Sequence, residues 1–137
     1  MFPDKVTVFN IVGDKFNRQV IENVFAHKDK IISKEGYGEK YSTVHRVIFS
    51  SKSLENYLPY EKYIELEDKS KNFTLNNNDL IVIGEFKEIT DLSDVQKTYV
   101  DYFLIKSISD NTYAINDLNN IEVTDWKLKL HLIFQKI

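Results

Sequence analysis

The chain has no cysteine, two prolines, four glycines and a single tryptophan, and alanine occurs only at Ala26 and Ala114. The absence of cysteine rules out disulfides, thiolate metal sites and a cysteine nucleophile. The scarcity of alanine argues against a helix-rich domain, which normally draws heavily on it. No stretch approaches the roughly 18 apolar residues needed to span a bilayer, and the opening Met1-Phe2-Pro3-Asp4-Lys5 lacks the basic-then-apolar order of a secretory signal. A cytosolic protein with no membrane contact is therefore expected. The 18 basic residues are scattered against 21 acidic ones, for a net charge of −3, so the basic face of a dedicated nucleic-acid binder is missing.

What remains is rich in branched and aromatic side chains. The chain is 42% hydrophobic and 13% aromatic, which over 137 residues is enough to fill one core in one domain spanning 1–137. Isoleucine, valine, phenylalanine and tyrosine suit a pleated, half-buried surface. Val6 to Val12 reads as a first strand, with Val6, Val8 and Val12 on one face and Thr7, Phe9 and Ile11 on the other. After the Gly13-Asp14 turn, Phe16 to Phe25 completes a hairpin. Ser33 to Lys40 is polar, holds Gly36 and Gly38 around Tyr37, and reads as a flexible loop. Tyr41 to Phe49 alternates as a strand, with Thr43, His45, Val47 and Phe49 opposite Val44, Arg46 and Ile48.

Pro59 fits the first position of a short helical turn over Tyr60 to Leu66, although the same letters also alternate as an edge strand. Phe73-Thr74-Leu75 reads as a strand, Asn76 to Asp79 as a tight turn, and Leu80 to Ile83 as a strand covered on both faces, with a bend at Gly84. Glu88 to Lys97 is a polar connection. Tyr99 to Ser107 is a further strand ended by a turn at Ser109-Asp110-Asn111, and 116–120 is a loop. Trp126 to Phe134 is the last strand. The expected fold is mainly all-β: a small antiparallel barrel or sandwich of about seven strands with one short helical turn.

Motifs for chemistry are missing. His27, His45 and His131 are far apart in sequence and lack metal-ligand spacing, and no serine sits on a glycine-flanked nucleophile turn. Gly36-Tyr37-Gly38 has no lysine-serine pair or following helix to make a phosphate loop. Glu65, Glu67 and Asp68 read as a solvated turn. Tyr99, Tyr102 and Phe103 are aromatic enough to stack bases, but only Lys106 accompanies them, so packing is the better reading. No enzyme activity, cofactor or metal is expected.

Several segments together resemble a family. Met1-Phe2-Pro3-Asp4-Lys5-Val6-Thr7-Val8-Phe9-Asn10, followed by Val20-Ile21-Glu22-Asn23-Val24-Phe25, looks like the start of small structural proteins of tailed bacteriophages and prophages of Firmicutes. Phe73-Thr74-Leu75 with Asp79-Leu80-Ile81-Val82-Ile83-Gly84 is similar to their FTL-x-x-G-D-hydrophobic-G segment, with Asn78 in place of the usual glycine. Ile105 to Asn111 and Ile121-Glu122-Val123 match their closing portion, and the C-terminal strand here is longer and lysine-rich. The resemblance points to head-closure proteins, that is, head-to-tail connectors or stoppers. It implies a homo-oligomeric β-barrel ring in the virion neck, assembled in the bacterial host cytoplasm. The portal and its adaptor would sit above, the tail terminator or tail tube below, and double-stranded DNA would pass without specific binding.

In that class a loop between the second and third strands plugs the channel; here it corresponds to Lys34, Glu35, Gly36, Tyr37, Gly38, Glu39 and Lys40. The N-terminal segment and last strand, through Phe2, Val6, Trp126, Leu128 and Leu130, are the expected subunit contacts. A tail terminator or minor capsid protein, and a single-strand-binding barrel, are the alternatives.

Overall fold

A computed structural model describes residues 3–35, 38–110 and 120–125, with side chains omitted along 31–42. Seven strands form one antiparallel sheet: β1 (Asp4–Val12), β2 (Lys15–Glu35), β3 (Gly38–Ser50), β4 (Leu80–Ile83), β5 (Tyr102–Leu104), β6 (Ser107–Asp110) and β7 (Asn120–Thr124). Their order is β5-β4-β1-β2-β3-β7-β6. The two edge strands are consecutive in the chain, and two residues carry it from one edge to the other. Ile105 N–H donates to Asp79 C=O beside β4 at 2.9 Å, and Lys106 N–H donates to Thr124 C=O on β7 at 2.8 Å. The sheet is thereby curled into a half-barrel, and the sandwich reading falls away.

The apolar alternation decides which side chains fill it. Val6, Val8, Val24, Val47, Phe49, Ile81, Phe103, Ile105, Ile121 and Val123 form the main core, joined by Phe73 and Leu75. β1 and β4 are buried on both faces, because Phe9, Leu80 and Val82 meet Ile89 and Val95 in a second core outside the sheet. Val95 is carried there by α2 (Ser93–Gln96), so the connection expected over Glu88 to Lys97 is a covering element. Deep burial of Val6 corrects its assignment as a subunit contact: it is wholly enclosed in the main core.

The helical turn after Pro59 is α1 (Tyr60–Tyr63). It sends only Tyr63 inward, where the hydroxyl accepts from Asn17 Nδ2 at 2.6 Å, while Tyr60 and Ile64 stay exposed. Glu65, Glu67 and Asp68 are solvated as expected. Phe73 to Leu75 is not a strand. The Asn10 side chain takes the place of a neighbouring strand by clamping Thr74, donating to its C=O at 2.5 Å and accepting from its N–H at 3.0 Å. The Asn76–Asp79 turn is present, with Asn78 at φ 72°, and Gly84 ends β4 at φ 91°. The strand expected over Tyr99 to Ser107 is split at Ile105–Lys106, and Ser109 and Asp110 belong to β6 instead of a turn.

Candidate functional site

The principal departure from the sequence reading is the segment between the second and third strands. Ser33, Lys34 and Glu35 pair with Lys40, Glu39 and Gly38, so five of the seven residues assigned to a plug loop lie in strands. Gly36 and Tyr37 lie outside the described residues, as do Phe2, Trp126, Leu128 and Leu130. β2 and β3 therefore make a long two-stranded ribbon. Among the described residues, β2 pairs with β1 only through Val24, and β3 pairs with β7 only from Arg46 onward. From Lys28–His45 to Glu35–Gly38, eight register pairs continue past these described neighbours, a length of about 25 Å at ~3.3 Å per residue, with Val44 buried near its base.

The ribbon's root is built from a bulge and the contacts of three carboxylates. Asp4 pairs with Val24 but Lys5 pairs with Glu22, leaving Asn23 as the extra residue at φ 62°. Asparagine tolerates this left-handed backbone, and the bulge turns β2 from its β1 neighbour toward β3. Ser50 Oγ donates to Asn23 C=O at 2.9 Å, and Ala26 N–H donates to Asp4 Oδ2 at 3.0 Å. On the barrel-facing side Lys28 Nζ lies 3.2 Å from Asp101 Oδ1. Next to it, His45 Nδ1 faces Asp125 Oδ2 at 2.9 Å, while Asp125 Oδ1 accepts the His45 backbone N–H at 2.9 Å. The His45 ring stacks on Phe103 at 5.5 Å between centroids.

The opposite face carries a surface ladder. His27 Nε2 lies 2.6 Å from Asp29, Arg46 lies 3.6 Å from Asp29, and Arg46 Nε lies 2.8 Å from Glu122. Phe25 stacks on His27 at 5.6 Å. These contacts tie three adjacent strands together at the level where the ribbon leaves them.

Other concavities offer less. A groove of about 510 Å³ runs past Arg18, Glu22, Lys52, Glu55 and Glu85, with charges of both signs. Its one hydroxyl, Ser53, donates to Ser50 C=O at 2.8 Å. A recess of about 90 Å³ lies at the ribbon root between Ala26, His45, Ile83 and Asp101, well below the few hundred Å³ of an ordinary small-molecule site. Among the described residues no group of three or more His, Asp or Glu is placed to hold a metal ion, and no helix is long and apolar enough to cross a membrane. Of the aromatic trio considered for base stacking, Phe103 is in the core and Tyr102 packs on the second core, leaving Tyr99 exposed.

The sequence reading missed Lys28, Asp101, Asp125 and Asn23 as parts of the root. The acidic partners stand 73 and 80 residues from the groups they hold, so no local spacing connects them. In comparison with known proteins, residues 2–124 match the family described as a family of unknown function, DUF6751. No curated protein and no solved structure matches the chain.

Proposed function

The chain belongs to DUF6751, a family of unknown function, and for it we propose a structural role as a head-closure, or stopper, subunit of a tailed bacteriophage. The observation that carries this reading is the β2–β3 ribbon, whose eight outer register pairs continue past the described pairings of β2 with β1 and of β3 with β7. A barrel gives each subunit of a homo-oligomeric ring a rigid wall, and an arm longer than the barrel requires gives each one a piece that reaches the axis. Lys34, Glu35, Gly38, Glu39 and Lys40 pair at the end of that ribbon away from the root, where the plug of such a ring would belong. A net charge of −3 suits a lumen through which DNA slides, since like charge opposes adhesion. The portal and adaptor above and the tail below are the partners of this reading, and the virion neck is its location.

The test is a phage, or prophage induction, in which residues 34–40 are deleted from this chain. Packaged heads are expected to lose DNA before tails attach, measured as nuclease-sensitive genome in purified heads. Filled heads that stay sealed would overturn the assignment. A particle reconstruction placing the chain at the end of the tail tube would replace it with a tail terminator.

A further inference from the structure

The ribbon leaves the barrel at one register pair, Lys28 opposite His45. One step inward on the same face, Ala26 stands opposite Val47, and beyond them Val24 stands opposite Phe49, all in or against the main core. The change from apolar pairs to a polar pair marks the barrel mouth. Each member of that polar pair is held by a carboxylate from a different element: Asp101 comes from just ahead of β5, Asp125 from the end of β7. The two attachments differ in kind. Lys28 and Asp101 are both about half exposed, at 53% and 54%, so salt screens them readily. His45 and Asp125 are sheltered, at 16% and 23%. Asp125 N–H also donates to His45 C=O at 3.2 Å, and Phe103 covers the ring. Asn23, the left-handed bulge residue, lies below this level where β2 changes neighbours.

We infer that, on the barrel-facing side, Lys28–Asp101 and His45–Asp125 form a two-point mooring that fixes the angle at which the ribbon leaves the barrel. The Lys28 attachment releases first. Losing it loosens β2, which the Asp4 contact to Ala26 still holds to β1, while β3 stays anchored through His45 and Arg46, so the ribbon tilts about the His45 side and does not detach. This device is a property of the isolated chain and does not depend on the stopper assignment.

The absence of cysteine allows two introduced thiols to carry spin labels without background. Lys30→Cys on β2 and Lys52→Cys on the barrel are both at exposed positions. Double electron–electron resonance on the full chain at low salt is expected to give one narrow distance distribution. High salt or Lys28→Ala broadens it, and Asp125→Ala broadens it further and moves its mean. His45→Asn, which keeps a donor toward Asp125, stays closer to the parent than His45→Ala. Circular dichroism on each variant establishes that the barrel is retained. An unchanged distribution in a folded Lys28→Ala/Asp125→Ala chain overturns the mooring. If that double variant unfolds, the salt titration of the labelled parent decides, and a distribution indifferent to salt overturns it.

Discussion

Asp79 keeps a carboxylate where almost no water reaches it, at 4% exposure. Its Oδ2 accepts from Asn10 Nδ2 at 2.8 Å and its Oδ1 from Ile11 N–H at 3.1 Å, while its own N–H donates to Asn76 C=O. Burial pushes the carboxyl above its usual 3.8, and the N–H donors from Ile11 and Asn10 pull the other way without cancelling it. The folded chain therefore binds this proton at a higher pH than the unfolded chain. The resulting stability is fully present below 3.8 and is lost as pH rises through the higher folded value.

Asp79→Asn should remove that dependence, read as a flatter urea midpoint against pH in mild acid. Asp79→Ala should lose about 1–3 kcal/mol by leaving Ile11 N–H and Asn10 unpaired. Beside it, Asn78 explains a departure visible in the sequence. At φ 72° the position asks for glycine or asparagine, so the replacement preserves the turn. Asn10 was legible only as a polar letter inside a strand. That its amide would substitute for a missing strand depends on Thr74, 64 residues away.

Strands with a core face announced themselves. Tyr41 to Phe49 showed the alternation because Val47 and Phe49 enter the main core, and Leu80 to Ile83 was continuously apolar because both faces are covered. The outer ribbon did not, for a physical reason. Past Lys28 and His45 each strand pairs only with its hairpin partner among the described residues, and Val44 is the one buried side chain described there, too little to impose a two-residue period on the letters. Ser33 to Lys40 accordingly looked like a loop. Among the described side chains, Val44 is the one buried beyond Ala26 and Val47 along the ribbon, and it lies outside 31–42. Replacing residues 31–42 by Asn-Gly, a favoured two-residue hairpin turn, should then leave the barrel folded, with urea stability within about 1 kcal/mol of the parent. A collapse of the cooperative transition would show that the arm supports the barrel.

The whole molecule depends on the passage from β5 to β6. Ile105 is fully buried in the main core, and its C=O accepts from Asn78 N–H at 2.7 Å while its N–H donates to Asp79 C=O. Ile105 thus joins the β4 side to the interior, and Lys106 beside it reaches β7 through Thr124. Ile105→Ala should destabilise by about 2–5 kcal/mol, measured by urea unfolding, whereas a similar truncation at half-exposed Ile64 should change little. Pairing of β1 with β4 and of β3 with β7 joins segments far apart in sequence. Such non-local pairing slows folding, because loop-closure entropy is lost before those contacts form.

The same passage has a mechanical consequence. Where the rims of an open sheet meet only through hydrogen bonds, hoop tension can peel them apart. Here the rims are spliced by the covalent backbone between Leu104 and Ser107. Hoop tension therefore cannot part the wall at that line and falls instead on the hydrogen-bonded ladders between the other strands.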